Sequence, residues 1–293
     1  MVNSTKEVHG FFNEEKLLHE SSDSEYFKNQ KKCNKYHYTN EEGLKGILSK
    51  RTLWLMHSSG LNDLSEGKII LEKAKVTLKI NNPMLLGTFE NLISDGLDSF
   101  YSCSFSSYGN LLSQWRGYGD NIALGFDWNS LAAPKGPTMV IDNNGNQLAT
   151  SGLDFVPCDY IDPSDESTCK PFVNKVVELF LNTFCDRTPS LDEIQYCALK
   201  IGAIITSVKH IGFFEEKEYK IVFYWWNVNG IIDPDTKKLR VEYKFDESCV
   251  KRIVIGPCKD QEMKICSVKR ILEGFGSDYS HVEVYRSMIP FIS

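Results

Sequence analysis

The chain has no G-x-G-x-x-G and no G-x-x-x-x-G-K-[ST] stretch. Neither glycine loop that cradles a dinucleotide or a nucleoside triphosphate is therefore present. None of its nine cysteines form a C-x-x-C pair and none sits by a histidine pair, which leaves a zinc site without ligands; no metal is expected. No run approaches the roughly 18 uncharged apolar residues that a membrane-spanning helix needs. The first 16 residues carry no apolar core of a secretory signal. An excess of basic residues is also missing: the formal charge is -6, which argues against binding nucleic acid by phosphate neutralisation. The densest basic cluster, Lys28, Lys31, Lys32 and Lys35, is preceded by Glu20, Asp23 and Glu25 and reads as a solvated charged segment. There is no internal repeat and no low-complexity tract.

What is present is an ordinary globular composition, 42% hydrophobic, on 293 residues, enough for a full core. Aromatics reach 12%, which suits either a β-rich core or a site that stacks on flat ligands. Cys103 and Cys197 lie in apolar runs, and the odd cysteine count suits reduced, buried thiols in a cytoplasmic protein.

Residues 1–34 read as a polar arm, and the organised chain as one domain over 35–293. Strands are expected at Lys35–Thr39, Thr52–Met56, Ser99–Ser106, Ile122–Asp127, Glu218–Trp226, Leu239–Phe245, Arg252–Ile255 and Val282–Tyr285, with weaker ones at 139–141 and 155–158. Helices are expected after the N-cap Asn40, from Asn62 to about 80, from about 84 to 96, and from about 260 to 273. Two more form a helical insertion at about 160–210. The first runs from Pro171, placed in its first turn, to Asp186; the second follows the capping box Ser190-x-x-Glu193 to about Val208. Strands and helices alternate without a regular βαβ beat, so the class is α+β rather than a doubly wound parallel sheet.

Three places carry candidate chemistry. His37 stands in Tyr36-His37-Tyr38-Thr39. It either donates to a ligand hydroxyl or is a half-buried strand histidine bonded to backbone. Ser104 and Ser106 share one face of a strand, with Cys103 and Phe105 on the other; the hydroxyls either line a site or end the strand and cap the helix that carries Trp115 and Arg116. Arg116 could meet a phosphate or simply be a surface charge. The third is Glu216-Lys217-Glu218, opening an apolar strand, where alternation would put Glu216, Glu218 and Lys220 on one face. Paired carboxylates can stabilise an oxocarbenium-like centre; an exposed charged edge that blunts aggregation is the other reading.

The order of these motifs resembles the ADP-ribosyltransferase superfamily, and more closely a bacterial domain family related to it. The residues that carry the resemblance are Tyr36-His37-Tyr38, Asn62-Asp63-x-x-Glu66, Cys103 to Ser106 with Trp115 and Tyr118, Gly125-Phe126-Asp127, and Glu216-x-Glu218, over about residues 35–256. The resemblance implies an α+β fold with a split, twisted β-sheet core, flanking helices and a helical insertion. It implies NAD as substrate, with ADP-ribose passed to a protein, a nucleic acid or water, in phage defence or a toxin-like role. In that reading Glu218 and Glu216 are the catalytic carboxylates. His37, Tyr38, Thr39, Tyr101, Ser104, Ser106 and Arg116 bind the dinucleotide, with Ser104 and Ser106 orienting Glu218 and with Tyr38 or Tyr101 stacking on nicotinamide. The second strand offers Trp54 where that branch has a tyrosine. His37, Ser104 and Glu218 are then expected around one cleft, and Glu218→Gln to leave the fold intact.

Two other functions fit the same residues. One is a non-catalytic binding or sensor module on the same fold, working with a partner protein in a defence complex. The other is a metal-dependent nuclease using Asp63, Glu66 and Glu218.

Overall fold

The computed structural model describes residues 35–58, 64–96, 100–117, 121–132, 139–142, 145–148, 153–185, 187–224, 231–232 and 239–290. The expected polar arm at 1–34 lies outside them, as do Asp63 and Tyr118.

The chain is α+β. A sheet of 12 strands runs in the order β14 (Glu283–Arg286), β13 (Val250–Ile255), β4 (Ile122–Phe126), β1 (Lys35–Thr39), β3 (Phe100–Ser106), β2 (Thr52–His57), β12 (Leu239–Lys244), β5 (Met139–Ile141) and β6 (Gln147–Leu148). Strand β11 (Ile231–Ile232) adds to β12. On β3 a branch leaves the path: β10 (Glu218–Tyr224) pairs with β3, and β7 (Leu153–Pro157) with β10. A separate two-stranded sheet joins β8 (Asp159–Ile161) to β9 (Val208–His210) in parallel.

The branch point decides the geometry of everything that follows. One edge of β3 is paired with β10 along its whole length, from Phe100↔Tyr224 to Ser106↔Glu218. The other edge is shared. Strand β2 takes one end, with His57↔Tyr101 and Met56↔Ser102; β1 takes the other, with Tyr36↔Ser106. Between them the sheet splits, and Cys103, Ser104 and Phe105 face the gap.

Side-chain alternation then sorts two cores onto two faces. Leu53, Leu55, Tyr101, Cys103, Phe105, Leu124, Ile221, Phe223 and Ile253 make the larger one, covered by Leu44 and Leu48 of α1 (Glu41–Lys50) and by Val268 and Leu272 of α8 (Gln261–Gly274). On the opposite face Phe100, Val222 and Tyr224 meet a layer of four helices: α2 (Leu64–Asn81), α3 (Leu86–Gly96), α6 (Glu166–Phe184) and α7 (Leu191–Ser207). That face also carries a small cluster of Tyr36, Tyr38, Ala123 and Val254 under Trp115 of α4 (Leu112–Gly117). A short helix α5 (Trp128–Ala132) follows β4.

Local signals explain most boundaries. Asn40 accepts the Gly43 N–H at 2.6 Å and starts α1. Ser190 and Glu193 close a full capping box on α7. Helix α6 begins a turn and more before Pro171, not at it. Asp165 accepts the Ser167 N–H at 2.9 Å, and Thr168 bonds back to Asp162, so the cap forms ahead of the proline. Pro171 therefore sits inside the helix, where it forgoes a bond to the carbonyl four residues earlier. Helices α6 and α7 do pack on each other and on the sheet, as their apolar faces predict.

The packing of α7 on β3 is close at Gly202, where a Cβ would fall 1.6 Å from the Phe100 ring. Gly202→Ala is expected to destabilise by roughly 1–3 kcal/mol through overpacking. Gly46→Ala, on a face of α1 with nothing within 4 Å, is expected to stabilise by roughly 0.5–1 kcal/mol. Urea melts of the two variants check both signs.

Candidate functional site

Glu218 opens β10 directly opposite Ser106, and Lys220 stands opposite Ser104. All four side chains share the face away from the larger core. Glu216 arrives there by a different route. Residues Ile211–Glu216 form a 3-10 turn, not strand, and Lys217 takes a left-handed conformation at φ 46° before β10 begins. The expected alternation across Glu216, Glu218 and Lys220 is thus replaced by a turn that folds Glu216 back onto Glu218. The reason is the short, glycine-containing loop after β9, which must reverse within a few residues to return to the sheet.

The two carboxylates are buried and meet one ammonium. Lys209 of β9 donates to Glu216 Oε2 and to Glu218 Oε2, both at 2.6 Å, with its side chain only 1% exposed. Lys220 donates to the Thr206 carbonyl at 2.9 Å and lies 3.8 Å from Glu218 Oε1. Two lysines and two glutamates thus meet inside the protein. Glu218 Oε1 makes no hydrogen bond among the described residues. The backbone of this corner is fixed as well. The Glu218 N–H donates to the Tyr160 hydroxyl at 2.8 Å, Cys158 N–H donates to the Glu218 carbonyl at 2.9 Å, and Ser107 N–H to the Lys217 carbonyl at 2.9 Å. Burial pushes the Tyr160 phenol well above its usual range, so it stays neutral. The exposed charged edge that the E-x-E motif also suggested is not what forms.

Ser106 spends its hydroxyl on the Glu216 carbonyl at 2.7 Å and accepts the Tyr108 N–H at 3.2 Å. It therefore orients the turn that carries Glu216, rather than the Glu218 carboxylate. Ser104 is exposed, in the gap between β1 and β2. On the same face, two residues before Met56, Trp54 is 43% exposed, and the Arg240 guanidinium lies 3.4 Å from its ring centroid.

His37 stands on the other face. Its Nδ1 lies 2.9 Å from the Ser104 carbonyl and 3.7 Å from Cys103 Sγ, and its ring is 5.6 Å from that of Phe105. A carbonyl only accepts, so Nδ1 carries the proton and donates. The imidazole thus plugs the split from the core side. Desolvation holds its pKa below the ordinary 6.5, against the pull of the Ser104 carbonyl. Burial pushes the neighbouring Cys103 thiol up to about 12, which makes it an inert packing group.

The remaining expected site residues scatter. Tyr101 is buried in the larger core, edge-on to His57, with its phenol pushed up to about 12. Tyr38 gives its hydroxyl to the Tyr108 carbonyl at 2.8 Å and packs edge-on against Trp115. Thr39 ends β1 beside Gly43, where a Cβ would fall 2.2 Å from its hydroxyl. Arg116 is exposed on α4. The structure thus gathers Ser104, Ser106, Glu216 and Glu218, and leaves His37 and Tyr101 across the sheet from them. Of His37, Ser104 and Glu218, expected around one cleft, Ser104 and Glu218 share a face of the sheet, and His37 reaches only the Ser104 backbone from the other face.

Sequence reading missed Lys209. The signal was there: a lysine shortly after the apolar stretch Ile201–Ile205, at the end of a helix that buries this stretch, is a cation carried inward. Among the described residues no group of three or more His, Cys, Asp or Glu side chains is placed to hold a metal ion. None of the described helices is long and apolar enough to cross a membrane.

The architecture places the chain among mixed α+β proteins built on one large, split sheet. A family model described as a protein of unknown function, DUF2971, matches residues 114–221, so a DUF2971 domain is present there. The match runs from α4 through both long helices, α6 and α7, to the middle of β10. No curated protein and no solved structure matches the chain.

Two predictions follow from this geometry. Because the folded His37 titrates below 6.5, the unfolded chain takes up the proton first as pH falls. Its contribution to stability is complete above that value and lost as pH drops below it. His37→Asn, which keeps a donor for the Ser104 carbonyl, is expected to lose less melting temperature than the wild type between about pH 7.5 and 5.5. Glu218→Gln, isosteric though it is, takes a carboxylate away from the buried Lys209 ammonium. It should cost roughly 3–5 kcal/mol in denaturant melts, more than an ordinary conservative change.

Proposed function

We propose that this chain breaks the N-glycosidic bond of NAD, passing ADP-ribose to water or to a macromolecular acceptor, on an ADP-ribosyltransferase-like fold. The observation that carries the reading is the state of Glu218. One carboxylate oxygen is committed to Lys209 and the other, Oε1, has no hydrogen bond among the described residues, on a face with an exposed serine and an exposed tryptophan. Oε1 accepts from a hydroxyl of the nicotinamide ribose. As the bond from the ribose C1′ to the nicotinamide nitrogen breaks, its electron pair leaves with nicotinamide. Positive charge then develops on the ribose, and the fixed carboxylate stabilises it. Water or an acceptor oxygen or nitrogen gives an electron pair to C1′ and loses a proton to solvent. Trp54, with Arg240 stacked on it, offers the flat surface for a base ring on the same face.

The wider setting of the reading, phage defence or a toxin-like role with a protein or nucleic-acid acceptor, rests on the motif order alone. A second reading, a non-catalytic binding module, is favoured by a different observation. Both carboxylates are buried and bonded to Lys209, and His37 lies on the far face.

Free nicotinamide is measured after incubation with NAD. Wild type is expected to release it, and Glu218→Gln to fall by about 100-fold or more. Glu216→Gln is expected to do less to hydrolysis. Equal rates for wild type and Glu218→Gln would remove this carboxylate from the chemistry. A folded wild type that releases no nicotinamide would leave the binding-module reading standing.

A further inference from the structure

Strand β9 has only three residues, yet it pairs in register with β8 so that Lys209 stands opposite Tyr160. These two residues hold Glu218 from both ends. The Tyr160 hydroxyl takes its backbone N–H, and the Lys209 ammonium takes its carboxylate. Helix α7 delivers the lysine. Its buried run through Ser207 ends against the sheet, and the chain has no freedom to turn Lys209 outward.

Other nearby groups are committed elsewhere. Lys220 gives its hydrogen bond to the Thr206 carbonyl and stands 3.8 Å from Glu218 Oε1. The Lys217 ammonium lies 3.4 Å from the Phe214 ring centroid. His210 Nδ1 accepts the Gly212 N–H at 3.0 Å. Cys158 flanks the corner through its backbone. Among the described residues, Lys209 is the one cation in hydrogen-bond contact with Glu218.

We infer that Lys209 is the positioning residue of this site: its ammonium bridges both carboxylates, anchors Glu218 by Oε2, and leaves Oε1 directed at the hydroxyl of a sugar-containing ligand. The inference rests on the proposed reading of Glu218 for its ligand, but not for its electrostatics. Without the ammonium, Glu216 and Glu218 lose the cation that they share. With the shared cation gone, repulsion between the two neighbouring carboxylates disfavours keeping both ionised. The acceptor at Oε1 is then lost to protonation or to a carboxyl–carboxylate hydrogen bond between the two.

The test joins two measurements on the full chain. Glutamate side-chain carbons are followed by NMR against pH in wild type, Lys209→Met and Lys209→Arg, with Glu216→Gln and Glu218→Gln assigning the signals. Nicotinamide release is followed against pH in the same variants. Wild type supplies the reference titration of the two carboxylates. In Lys209→Met one of them is expected to titrate at higher pH, and the pH profile of nicotinamide release to move upward with it. Lys209→Arg keeps the charge in a bulkier, planar shape. It is expected to keep the wild-type titration and lose roughly 10- to 100-fold in kcat at similar KM, as a displaced group does. A folded Lys209→Met with wild-type titration and pH profile overturns the inference. If Lys209→Met does not fold, a Lys209→Arg with wild-type kcat overturns it instead. Carboxylate titration that depends on Lys209, in a wild type that releases no nicotinamide, supports the electrostatic role and sinks the NAD reading alone.

Discussion

The buried ammonium of Lys209 between two carboxylates is the contact on which the candidate site depends. Burying charge is expensive, and a lone Glu218 on that face would be driven to neutrality or outward to water. The chain avoids both by bringing four charges from three segments to one place: Lys209 from β9, Glu216 from the turn, Glu218 and Lys220 from β10. The helix layer behind them takes part as well, because the Thr206 carbonyl near the end of α7 receives Lys220. An apolar layer and a polar cluster are thus one construction, and neither is placed without the other.

The second constraint is the split of β3. A strand paired on one edge by β10 and shared on the other by β1 and β2 must leave backbone groups facing a gap. An unpaired carbonyl there would cost stability unless a donor reached it. His37 supplies that donor from the core side, which seals the gap below and leaves the Ser104 side chain open above. The histidine of the early strand therefore reads as part of the sheet's own bonding. Burial, against the pull of that hydrogen bond, favours the neutral ring, and this makes the histidine sensitive to acid.

These two features divide the motif residues in a way that spacing along the chain could not. Parity along β3 separates Ser104 and Ser106 from Cys103 and Phe105, and that much is visible in the sequence. Which of the two faces His37 joins depends on how β1 registers against β3, and that is set by a single pair, Tyr36↔Ser106. Glu216 shows the opposite case. Period-two reading puts it on the correct face for the wrong reason, since the residue is in a 3-10 turn and reaches Glu218 through the left-handed Lys217.

By itself the sequence determined the α+β class, the capping box of α7, the apolar faces of α6 and α7, and the shared face of Ser104 and Ser106. Each of these follows from local propensity or from a short-range period, which act over a few residues. It did not determine the start of α6, where side-chain caps outcompeted a proline, or the side of the sheet on which His37 lies. Nor did it show that Lys209 would be the partner of both carboxylates. Only the tertiary structure decided those, because a buried charge chooses its counter-ion by distance in space. The nine-position separation of Lys209 and Glu218 becomes a 2.6 Å contact only when β9, the turn and β10 close on one another.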